Sequence, residues 1–102
     1  MHFPPHHLAA LSQVLRLGSF DAAAAALLVT PSAVSQRIKA LEDQVGSALV
    51  RRGAPCTGTK AGMRLAKHAE DIGLLEAQLT RELALDHRPT NARLKVAVNA
   101  DS

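Results

Sequence analysis

Three punctuation marks between residues 18 and 46 leave this chain little choice of fold: Gly18–Ser19, Thr30–Pro31 and Gly46. A glycine just past a helix ends it in the left-handed conformation that other residues resist. A serine or threonine caps the next helix by accepting a backbone N–H. A proline suits the first turn, where no intrahelical donor is missed. Read this way, the chain predicts a helix over His6–Leu17 and a short one over Phe20–Leu28. A tight connection at Val29–Thr30 then leads into a third helix, Pro31–Val45. Two helices joined by so short a turn form a helix-turn-helix.

The core that holds these helices must be aliphatic, because Phe3 and Phe20 are the only aromatics. Apolar residues make up 47% of the 102 residues, enough for one modest domain. Leu8, Leu11 and Leu15 recur at the spacing of a buried helical stripe. The run "DAAAAALL" (Asp21–Leu28) offers a smooth surface of strong helix formers. The fold class expected is mainly α.

On a wheel of about 100° per residue, Val34, Ile38, Leu41 and Val45 share one face of the third helix. Ser32, Gln36, Lys39 and Asp43 lie opposite, with Ser35 and Arg37 at the two edges. Small hydroxyls at the N-terminal end would let this helix enter a DNA major groove, about 12 Å wide. Glutamine pairs with an adenine edge and serine serves donors or acceptors, whereas Arg37 and Lys39 suit phosphates. Glu42 and Asp43 follow, beyond the stretch that such a helix uses to read bases. The same face could equally be an ordinary solvated one, and the wheel alone leaves both readings open.

Beyond Gly46, Ala48–Arg52 reads as a short strand and "GAPCTG" as a turn. A return strand there would make a wing over Ala48–Thr59, and Arg51 and Arg52 on it are better placed for phosphates than for packing. Thr59 can cap a long helix, Lys60–Leu85, roughly 39 Å in length. Leu65, Ala69, Ile72, Leu79 and Leu83 follow a near-heptad seam along it. Glu76 holds the missing seam position, and Gly62 and Gly73 weaken the helix. Such a stripe seeks a partner helix, so a homodimer or higher oligomer is expected. Residues 86–92 are polar, contain Pro89 and read as a linker. Leu94, Val96 and Val98 then alternate as in a strand, the expected opening of a further domain over 93–102.

Several function classes find no support. The net charge of +3 is slight: five Lys/Arg face three Asp/Glu in residues 1–59. Any case for DNA must therefore rest on geometry. The single cysteine, Cys56, excludes a disulfide framework and suits a reducing compartment, hence the cytoplasm. Its turn position makes oxidation conceivable, but no resolving cysteine exists. His2, His6 and His7 lack acidic or thiol companions that would make a metal site. No signal peptide, membrane-length apolar run, Ser–His–Asp order or phosphate-cradling glycine loop is present, so an enzyme is not expected.

"SFDAAAAALLVTPSAVSQRIKALEDQVGSALVRR", followed by "TKAG", resembles the N-terminal winged helix-turn-helix of LysR-type transcriptional regulators. The resemblance runs from about Leu8 to Leu85, and "SAVSQRIKALE" is its most specific part. "LVRRGAPC" and "VAVNADS" further resemble the lysine- and arginine-responsive branch. The resemblance implies a winged helix-turn-helix over 1–59, a dimerisation helix over 60–85 and the start of a truncated α/β effector domain. It implies double-stranded DNA as partner, with Pro31, Ser32, Ser35, Gln36 and Lys39 facing it. It implies no cofactor, only a small-molecule effector such as lysine or arginine. In a complete protein Asn99, Asp101 and Ser102 would lie near that effector. Three positions depart from the family: Val50 replaces a common Phe, Gly58 replaces an apolar residue, and "AAAAALL" lacks a charge often found in the second helix. The rival reading is a helical interaction module, or a dominant-negative partner that dimerises through residues 60–85.

Overall fold

The computed structural model describes residues 2–86, with Asp86 by its backbone alone. The expected linker and strand, with Asn99, Asp101 and Ser102, lie outside the described residues. Six elements follow in order: α1 (Pro5–Leu17), α2 (Phe20–Leu27), α3 (Pro31–Val45), β1 (Val50–Arg51), β2 (Thr57–Gly58) and α4 (Lys60–Asp86). The described residues divide into two compact units, the first ending at Asp71 and the second beginning at Ile72.

In the first unit the caps are those the sequence announces. The Ser19 and Thr30 hydroxyls accept the Ala22 and Ala33 backbone N–H groups at 3.1 and 3.0 Å. Gly18 and Gly46 close α1 and α3 at φ 74° and 80°. One cap is unusual. Leu28 ends α2 in the left-handed region at φ 60°, one residue earlier than expected, and its side chain is 91% exposed.

Leu8, Ala10, Leu11 and Val14 of α1 form the core with Ala23 and Ala24 of α2 and Val34, Ile38 and Leu41 of α3. The alanines of α2 set no bulk between the helices, so three of them pack with no aromatic among the fully buried side chains. Leu15 and Val45, expected in the core, are only half-buried. Leu49 joins from the loop and is fully buried.

The return strand is present: β1 and β2 pair antiparallel, Val50 opposite Gly58 and Arg51 opposite Thr57. The wing is joined to the helices at both ends. At its start, Glu42 Oε2 accepts the Leu49 and Val50 backbone N–H groups at 2.8 and 3.4 Å. At its end, Thr59 donates its hydroxyl to the Ala48 carbonyl at 2.7 Å and accepts the Gly62 N–H at 3.0 Å, capping α4.

Gly62, expected to weaken α4, and Gly58, which stands where the family has an apolar residue, both sit in close contacts. A Cβ on Gly62 would run into the Leu49 carbonyl, with the carbonyl carbon at 2.8 Å. Gly62 therefore lets α4 lie directly on the loop backbone. At Gly58 a Cβ would meet Met63 Sδ at 2.8 Å and Leu15 Cδ1 at 3.0 Å, so neighbouring side chains already fill the space of the expected apolar residue. Cys56 is buried rather than exposed, its thiol 3.5 Å from the Gly53 carbonyl oxygen.

Leu65 also departs from expectation. It is only 9% exposed in the single chain and lines an apolar hollow with Phe3, Val45, Leu49, Ala61, Arg64 and His68. Its side chain is packed inside the first unit and is withdrawn from the expected seam. In the second unit, the helical stretch from Ile72 leaves Leu74, Leu75 and Leu79 exposed, and Leu83 is 47% exposed. Leu75 lies three residues after Ile72 and four before Leu79. It supplies apolar surface beside Glu76, where the predicted seam was interrupted.

Candidate nucleic-acid interface

The outward face of α3 follows from its buried one. With Val34, Ile38 and Leu41 fixed in the core, the helix has no freedom to hide Ser32, Gln36 or Lys39, and all three are exposed. Pro31 is exposed beside them, and Ser35 is half-buried at the edge facing the wing. Ser32 and Gln36 have no side-chain hydrogen bond among the described residues, so both keep their full donor and acceptor capacity. Lys39 lies 3.8 Å from Asp43, one helical turn on, with both side chains well exposed. Such a surface pair contributes about 0.3–0.5 kcal/mol, little enough for the ammonium to exchange it for another anion.

Arg37 lies on the opposite edge, toward α1. Its guanidinium is close enough to His7 to help hold that imidazole below its ordinary pKa of 6.5, after desolvation and the neighbouring His6. His6 and His7 themselves meet edge to face, their centroids 4.5 Å apart. Arg37 is thus separated from the Ser32–Gln36–Lys39 row, as the wheel placed it.

The two wing arginines diverge: Arg51 is the last residue of β1, and Arg52 follows it outside the strand. Arg51 lines a hollow of about 570 Å³ with Lys60 and Arg64, together with Ser47, Ala48, Thr59 and Ala61. Three cations line it and no acidic side chain does, so it presents a positive face to solvent. Lys60 and Arg64 were not among the residues singled out from sequence. Their positions on the first turns of α4 are visible there, but their nearness to Arg51 depends on the wing folding back. Arg52 turns the other way. Its guanidinium carbon sits 4.3 Å above the Phe20 ring centroid, and Nη2 donates to Ser35 Oγ at 3.4 Å.

Glu42 was expected only to stand clear of the interface. Instead its carboxylate fixes the start of β1, and its carbonyl accepts Gly46 and Ser47 N–H groups at 2.7 and 3.2 Å. The N-terminal residues are similarly employed. Phe3 meets His68 edge to face at 6.3 Å, and the His2 carbonyl accepts from Gln44 Nε2. Among the described residues no group of three or more metal-ligating side chains converges. No helix there is long and apolar enough to cross a membrane.

Set beside known proteins, residues 5–63 match the family described as bacterial regulatory helix-turn-helix protein, lysR family. The HTH-type transcriptional regulator LysG of Mycobacterium tuberculosis is 54% identical over 95 residues, covering 93% of this chain and 31% of that protein. The structure of full-length LysG from Corynebacterium glutamicum with bound effector Arg superposes with a TM-score of 0.79 at 42% identity. That match covers 84% of this chain and 30% of the other. The CbnR DNA-binding domain in its DNA complex superposes at 0.74 with 26% identity, over 86% of this chain and all of that one. The chain thus spans about a third of the length of the curated relatives it matches.

Proposed function

The chain belongs to the bacterial LysR family of helix-turn-helix regulators, and from that premise we propose that it binds operator DNA sequence-specifically, as a dimer, to regulate transcription. The observation that carries this reading is α3 itself. Its apolar side is buried in the core, and its other side presents an exposed row of Ser32, Gln36 and Lys39 behind Pro31.

In this reading α3 enters the major groove by its N-terminal end. Gln36 and the serines Ser32 and Ser35 meet base edges, and Lys39 and Arg37 meet phosphates. Arg51 and Arg52 approach the backbone from the wing, and the hollow that Arg51 shares with Lys60 and Arg64 adds positive charge on that side. The dimer forms along α4 through Ala69, Ile72, Leu79 and Leu83, with Leu75 added to the seam. The relatives named LysG and the effector-bound structure support a basic amino acid as the small-molecule signal of the complete protein.

Selection of bound duplexes from a random pool, followed by sequencing, tests the function. An enriched motif at moderate salt is the expected result, and its absence would sink the reading. Gln36→Ala should then relax preference at one base pair, costing about 1–3 kcal/mol there. Equal weakening on all sequences would remove Gln36 from the base readers.

A further inference from the structure

Arg52 touches two elements at once, and neither contact is to its own strand pair. Phe20 is the first residue of α2, directly after the Ser19 cap, and Ser35 lies on the wing-facing edge of α3. A guanidinium 4.3 Å above an aromatic centroid is in stacking range, and a planar, delocalised cation suits that seat better than an ammonium does. The seat limits where the rest of the guanidinium can go, and Nη2 reaches Ser35 Oγ at 3.4 Å. A serine hydroxyl has one hydrogen and two lone pairs. A guanidinium offers only donors, so Arg52 occupies a lone pair of Ser35 and leaves its hydrogen to point elsewhere. The adjacent positive charge also repels any second donor that approaches the same oxygen.

We infer that Arg52, seated on Phe20, is a positioning residue for base selection: it polarises Ser35 into a hydrogen-bond donor. Ser35 then favours a base edge that presents an acceptor, such as guanine N7 or O6, adenine N7 or thymine O4. It disfavours the exocyclic amino groups of cytosine and adenine. This role rests on the DNA-binding reading above and is separate from any phosphate contact Arg52 makes. A phosphate contact strengthens binding on every sequence, whereas a polarised Ser35 acts at one base pair.

The test uses the full 102-residue chain and the motif it selects from random duplexes. Binding to that motif and to each single-base variant is measured for the wild type, Ser35→Ala, Phe20→Leu, Arg52→Ala and the Arg52→Ala/Ser35→Ala pair. Ser35→Ala should lose roughly five- to tenfold discrimination at one base pair, in favour of an acceptor-bearing edge. Phe20→Leu should lose discrimination at that same pair while leaving the salt dependence unchanged, because no charge is removed. The double variant should be no less selective there than Ser35→Ala alone, since Arg52 acts at that pair only through Ser35. Arg52 is exposed, so this comparison stands even if Phe20→Leu fails to fold. The inference is overturned if Arg52→Ala weakens all duplexes equally, if its effect and that of Ser35→Ala simply multiply at that pair, or if a folded Phe20→Leu selects as the wild type does. A wild type that enriches no motif overturns the DNA-binding reading itself, and this inference with it.

Discussion

Gly62 and Gly73 stand on the same helix and meet opposite demands. A glycine inside a helix costs about 0.5–1 kcal/mol relative to alanine, so both look like defects. At Gly73 nothing lies within 4 Å of an added Cβ, and Gly73→Ala should raise helix stability by about that amount. At Gly62 the Cβ would strike Leu49's backbone, which cannot rotate away as a side-chain tip could. Gly62→Ala should therefore cost a net 1–3 kcal/mol or so despite its better propensity. Thermal melts followed by circular dichroism separate the two, and equal shifts for both variants would disprove the close approach. A second prediction concerns His7. Its imidazole is held below 6.5 mainly by desolvation, then by His6 and Arg37. Just below pH 6.5 the unfolded chain therefore binds more protons at this site than the folded one. Stability contributed here is intact above 6.5 and is lost as pH falls from there toward the folded pKa. An NMR titration should place the His7 midpoint below 6.5, and Arg37→Gln should move it upward. An unmoved midpoint would mean that Arg37 does not face His7.

At the scale of elements, the connection between α2 and α3 is the least comfortable part of the helix-turn-helix. Leu28 adopts the left-handed conformation, which costs a β-carbon-bearing residue about 1 kcal/mol, and its exposed side chain recovers little by packing. Leu28→Gly should raise the melting temperature, with a gain of up to about 1 kcal/mol. A loss would show that the leucine packs usefully in solution. The sequence placed this helix end at Leu28 because the residue is apolar and the alanine run is continuous. The structure ends the helix one residue earlier. All four helices among the described residues were legible to within a residue, because caps and 3.6-residue periodicity are local signals. Leu65 shows the limit of that legibility. Heptad spacing tells that a position is apolar, not whether it faces another chain or, as here, a hollow within its own. The wing strands, two residues each, are too short to show any period. Their attachment depends on Glu42 reaching Leu49 and on Thr59 reaching Ala48. Those contacts bridge 7 and 11 residues and leave no pattern in a sequence. The exposed row on α3 was legible because burial of one helix face determines the other. The seat of Arg52 on Phe20 was not, because it brings the residue after β1 and the start of α2 together across a sequence separation of 32.

At the scale of the whole molecule, a single recognition helix meets few base pairs, and selectivity among many competing sites calls for two. In a dimeric reader the second contact is effectively intramolecular, and linkage of this kind strengthens binding by about 10²–10⁴. Half-sites should then lie about 34–36 Å apart, or a multiple of that. The apolar stripe that would form the dimer runs through the second unit, where Leu75 is 65% and Leu79 53% exposed. Leu79→Glu sets a charge in the middle of that stripe without touching the core of residues 1–71. The wild type should sediment as a dimer and the variant as a monomer with the melting behaviour of the first unit preserved. On an isolated half-site the two proteins should bind alike, since α3 is unchanged. On a paired operator the variant should lose about a hundredfold or more. A variant that remains dimeric and keeps its operator affinity would remove Leu79 from the seam. One that is monomeric yet binds the paired operator as tightly as the wild type would break the link between dimerisation and recognition. Each half of the proposed mechanism therefore has its own readout: α3 on the half-site, and the leucine stripe on the difference between one half-site and two.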